Sequence, residues 1–150
     1  MQSLGLLVTL ALLWTATALA AAGSPPVLAE RMTCPDPSTS VMTLEADGAA
    51  EIVAFRGFDP RTARSFMNRK HLPAADMQEL LAILRNSGFD RLPDGPEDRP
   101  GPDTCLITLE IQLDGRQATL RYQGTPEPVT PAKALAKKIH AILDRHEWKE

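Results

Sequence analysis

His71, His140 and His146 are the only imidazoles in the chain, and imidazole is the side chain that most readily binds metal or moves protons near neutral pH. A spacing of six separates His140 from His146 around a helix, so the two cannot grip one ion as an i, i+4 pair does. No H-E-x-x-H occurs, and Cys34 and Cys105 stand too far apart for a local zinc knuckle. The histidines therefore read as polar residues at helix surfaces, and no metal or cofactor is expected. Nucleophilic chemistry has no better footing. There is no G-x-S-x-G elbow, no phosphate-cradling glycine loop, and no catalytic signature around Cys34-Pro35.

Carboxylates crowd one segment, where Asp90, Asp94, Glu97, Asp98 and Asp103 alternate with Pro93, Pro96, Pro100 and Pro102. An acid/base pair needs burial to split two pKa values, and a proline-rich segment reads instead as a solvated connection. The opposite bias holds from Gly57 to Leu72, where Arg61, Arg64, Arg69 and Lys70 face a single acid, Asp59. Phe58, Phe66 and Met67 lie in the same stretch, and apolar residues in a basic loop either pack beneath it or form a contact patch. Arg61, Arg64, Arg69 and Phe66 are thus the candidate partner-contact residues, with no catalytic residue assigned. The net charge of −3, with both signs mixed, argues against a general nucleic-acid binder, which would show a concentrated basic face.

The elements that position these residues follow from periodicity. Asp114-Gly115 forms the two-residue loop of a type I′ hairpin. Its register sets Leu113 against Arg116, Ile111 against Ala118, Leu109 against Leu120 and Ile107 against Tyr122. One face is then apolar except at the turn and the other polar, so a slip of one residue would invert every side chain. An earlier hairpin centres on Asp47-Gly48. The two-residue rule pairs Met42 with Val53 but sets Leu44 against Glu51, a conflict that a bulge or longer turn would relieve.

A helix is expected over Pro73 to Ser87, with Met77, Leu80, Leu81 and Leu84 on one side, Pro73 at its first position and Gly88 ending it. A second starts with Thr130 as N-cap and Pro131 at N1, presents Leu135, Ile139, Ile142 and Leu143, and is followed by Trp148. Residues 42–57 align with 109–124 at constant offset, so each hairpin is followed by a helix. The expected fold is α+β: ββαββα, an antiparallel sheet with two helices packed on one face.

Address comes from the N-terminus. Leu4 to Leu13 has the length of a signal-peptide apolar core, and Ala18-Leu19-Ala20 fits the A-x-A cleavage pattern. The expected organisation is a signal peptide over 1–20, a proline-rich linker over 21–39 and a single α+β domain over 40–150. Retention of the apolar segment as an anchor is the alternative, since Met1 to Ala22 approaches the roughly 20 residues that span a bilayer. In an oxidising compartment Cys34 and Cys105 read as one disulfide.

The order D-G hairpin, then L-P-A-A-D-M-Q-E-L-L-A-I-L-R-N-S-G-F-D-R-L-P-D, then P-D-T-C-L-I-T-L-E-I-Q-L-D-G-R, then a closing helix, resembles the emfourin family of small metalloprotease inhibitors. It is similar too to an uncharacterised family of exported bacterial domains with a C-P element before the first hairpin, here Cys34-Pro35. The likeness covers about residues 40–145 and transfers no inhibitory residue by position. It implies an inhibitor-like binding role. The functional expectation is an exported, periplasmic or secreted, non-catalytic monomer that binds an unknown protein, touching membrane only through its signal segment. A structural envelope domain and a small enzyme with an unrecognised site are the alternatives.

Overall fold

The computed structural model describes residues 24–36, 38–56, 64–95, 103–125 and 129–149. The proposed signal segment and Arg61 lie outside these residues. Six strands form one antiparallel sheet: β1 (Leu28–Thr33), β2 (Ser38–Leu44), β3 (Ala49–Arg56), β4 (Arg64–His71), β5 (Leu106–Leu113) and β6 (Arg116–Gln123). Their order across the sheet is β4-β3-β2-β1-β5-β6. Two helices, α1 (Ala74–Ser87) and α2 (Pro131–Leu143), follow β4 and β6. The expected α+β architecture is present, enlarged by β1 at the centre and β4 at an edge.

The β5–β6 ribbon has the register read from its sequence, Leu113↔Arg116 through Ile107↔Tyr122. Asp114 and Gly115 both take positive φ, 52° and 72°, as the type I′ turn demands. Leu109 and Leu120 are buried on the helix-bearing side. The first hairpin differs by one residue. Leu44 pairs with Ala50 and Met42 with Ile52, because the loop has three residues, Ala46 to Gly48. The Gly48 N–H donates to Glu45 O at 3.1 Å and Gly48 sits at φ 91°, a turn closed by a left-handed glycine. That extra residue moves Glu51 to the open face and removes the conflict with Leu44.

Both helices bury their apolar stripes against the same sheet face. Met77, Leu80 and Leu84 of α1 and Leu135, Ile139, Ile142 and Leu143 of α2 share one core with Leu28, Met42, Leu44, Leu109 and Ile111. Helix α2 begins as expected: the Lys133 N–H donates to Thr130 Oγ1 at 3.2 Å, and Pro131 occupies the first helical position. Pro73 is shifted by one. It is the N-cap of α1 rather than its first helical residue, and its carbonyl accepts from the Met77 N–H. Gly88 ends α1 in the left-handed region, and Phe89 then drops fully buried into the core.

Residues 28–33, within the expected linker 21–39, form the central strand. β1 pairs with β2 on one side and β5 on the other, so the domain begins before residue 40. The basic segment 57–72 likewise contains a strand, β4, in place of a continuous loop. Cys34 and Cys105, directly beyond the Thr33↔Leu106 pair, are disulfide-bonded across 71 residues of sequence. The bond fastens one end of the central ribbon. Among the described residues no helix is long and apolar enough to cross a membrane.

Candidate functional site

Sheet register places two charged residues on the face that the helices cover. Glu30 lies between Leu28 and Met32 on β1, opposite Met42 and Leu109. Its carboxylate accepts from His140 Nε2 at 2.9 and 3.0 Å and from the Tyr122 hydroxyl at 3.3 Å. This bond and the Glu30 charge hold the His140 imidazole above its ordinary pKa, against the opposing effect of burial. Burial and the same carboxylate push the Tyr122 phenol far above its usual value. The raised pKa favours the imidazolium form of His140 beside the Glu30 carboxylate.

Lys70 is the second charge, on β4 opposite Ala50. Only 8% exposed, it is the one buried charged residue among those described. Its ammonium donates to Leu143 O at 2.6 Å and His146 O at 3.0 Å, and lies 3.9 Å from the Trp148 ring centroid. Burial pulls its pKa below the usual lysine value, with Asp144 opposing. These partners all belong to the end of α2 and the residues just beyond it. Lys70 therefore fastens the C-terminal tail to the sheet.

A further cluster holds the same tail from above. Arg145 donates to Asp76 at 2.8 Å and to Glu79 at 2.6 Å, and His146 Nε2 meets the other Asp76 oxygen. The His146 and Arg145 contacts, in that order, keep the Asp76 carboxyl below its usual pKa. The expectation of His140 and His146 as polar residues near helix surfaces agrees with this geometry, each spent on its own carboxylate. His71 lines an open cleft of ≈ 890 Å³ with Glu45, Glu51, Arg69 and Glu147. None of those carboxylates is buried.

The tail ends on the sheet edge. Arg69 N–H donates to Lys149 O at 2.8 Å and Lys149 N–H returns a bond to Arg69 O at 2.9 Å, an isolated antiparallel bridge. Arg69 must therefore turn its peptide groups outward, away from β3. By the period of two, Ser65 and Met67 do the same. Among the described residues no strand lies beyond them. Around this bare stretch stand the large exposed apolar side chains of β3 and β4: Phe66 at 58%, Met67 at 49% and Phe55 at 45%.

Of the four contact candidates, Arg69 and Phe66 share β4 but project to opposite faces of the sheet. Arg69 is not free: its Nε pairs with Glu51 at 2.8 Å. Arg64 is the first residue of β4, and Arg61 lies outside the described residues. The sequence reading missed Glu30 and placed Lys70 only among the cations of a basic loop. The available signal was Glu30 at the centre of a six-residue stretch whose even positions otherwise carry Leu28 and Met32. Compared with known proteins, the chain matches no family model and no curated protein.

Proposed function

We propose that this chain is an exported, non-catalytic binding module that contacts a protein partner through the outer end of its β3–β4 ribbon. The observation that carries the reading is the exposure of Phe55 and Met67 on one face of the sheet and Phe66 on the other, flanking a stretch of β4 edge that no described residue pairs with. Exposed apolar side chains grouped in this way mark interaction surfaces. Export draws support from the apolar N-terminal segment with its A-x-A site and from the Cys34–Cys105 bond, which persists in oxidising compartments. Inhibition of a protease is one concrete form, suggested by the emfourin resemblance.

The test is affinity capture from a bacterial envelope extract, using the mature protein and a Phe66→Ala, Met67→Ala double variant. The expected result is a stoichiometric protein retained by the former and lost by the latter at unchanged thermal stability. Absence of any retained protein overturns the reading. It would favour the alternative, a structural envelope domain whose open face, carrying exposed Glu110, Gln112, Gln117 and Thr119, is simply hydrated.

A further inference from the structure

From the bare edge of β4 we infer how such a partner binds: an extended, acidic and apolar peptide segment adds to the sheet as a further strand alongside Ser65 and Met67. The inference rests on the binding reading above and gives it a mode and a chemical class.

The molecule already performs a short version of this pairing. Lys149 lies antiparallel to β4 and exchanges both backbone hydrogen bonds with Arg69. The same lane continues past Met67 and Ser65, whose outward N–H and C=O groups have the same phase as those of Arg69. An added strand would satisfy these groups through its own backbone, while its side chains meet apolar surface on both sides. On the helix-bearing face it meets Phe66. On the open face it meets Met67, with Phe55 on the neighbouring strand. Main-chain bonds supply affinity in such a complex and alternate side chains supply selectivity.

Charge decides between occupants. At the outer end of the β3–β4 ribbon Arg56 pairs with Arg64, with no acid in residues 52–56 or 64–70, whereas Arg69 is already paired with Glu51 and Lys70 is buried. A second copy of the chain, laid edge to edge, would bring a second Arg56–Arg64 pair to the same edge, and like charges brought together across strands are destabilising. A segment bearing Asp or Glu gains where a second copy loses.

The test uses the disulfide-bonded mature protein and three synthetic probes: a Val-Glu alternating octapeptide, its Val-Lys counterpart, and the Val-Glu sequence with every backbone amide N-methylated. Titration is followed by amide chemical shifts and calorimetry. The expected result is binding of the Val-Glu peptide alone, with the largest shifts at Ser65 and Met67. Met67→Pro deletes one outward N–H at an edge position that tolerates proline, and should weaken binding roughly tenfold or more. Equal binding of the N-methylated peptide, or shifts centred elsewhere, overturns strand addition, and this holds even if Met67→Pro fails to fold. Equal binding of the Val-Lys peptide overturns the acidic assignment. A concentration-dependent dimer abolished by Met67→Pro overturns it in favour of a second copy. If a natural partner is captured equally by the parent protein and a folded Met67→Pro variant, the binding module stands and the strand-addition mode falls.

Discussion

Replacing Lys70 by Met keeps most of its buried stem but leaves the Leu143 and His146 carbonyls without their donor. A hydrogen bond to a charged group contributes about 1.5–3 kcal/mol net, so Lys70→Met should lower unfolding stability by about that amount in urea titration. It should also release Lys149, read as faster exchange of its amide. A second prediction concerns the Glu30–His140 pair. The His140 pKa is raised in the fold, so the stabilisation from the pair is complete below the ordinary histidine value of about 6.5 and disappears as pH climbs through the raised one. In Glu30→Gln the carboxylate's pull is gone and burial remains, so the His140 pKa should fall from its parent value by NMR. Titration unchanged from the parent would contradict the pairing. The Asp76 pKa is lowered by His146 and Arg145, so its contribution is present above the usual aspartate value of about 3.9 and fades as pH falls through the lowered one.

At the scale of elements, two left-handed glycines separate backbone strain from steric contact. Gly115 at φ 72° has open space around a would-be Cβ, whereas at Gly48 that atom would stand 2.8 Å from the Leu72 carbonyl oxygen. Gly115→Ala should cost about 1–2 kcal/mol, the usual left-handed penalty. Gly48→Ala should cost more, because the start of α1 must shift as well; equal midpoints in urea would contradict this. The same positions explain what was legible in the sequence. The β5–β6 register could be read because a two-residue loop leaves no freedom and every inward residue is apolar except at the turn. In the first hairpin the two-residue rule is off by one, and the longer turn that relieves the Leu44–Glu51 conflict is the one present, because a left-handed glycine closes three-residue loops as well. β1 and β4 were missed for one shared reason: each carries a charge, Glu30 or Lys70, at an inward position. Alternation in sequence is broken there, and the partners that satisfy the charge lie on α2 and its tail, about 70 or more residues away. The apolar cluster of Phe66 with the Arg69 segment was visible as composition, but its placement on an edge strand required the register.

For the whole molecule, the Cys34–Cys105 bond joins the central strands across a 71-residue separation. Closing a loop of that length removes about 4 kcal/mol of unfolded-state entropy. Reduction should therefore lower the urea midpoint by up to that equivalent, and no change at all would contradict the pairing. The larger claim is that, among the described residues, one edge of the sheet is ended by the tail at Arg69 and left open at Ser65 and Met67. Native-state amide exchange tests it residue by residue. Phe66, Asn68 and Lys70, bonded toward β3, and Arg69, bonded to Lys149, should be protected, while Ser65 and Met67 should exchange near the rate of unstructured peptide. Protection of Met67 equal to that of Arg69 in the isolated protein would mean that the edge is already filled, and the binding surface described here would not exist.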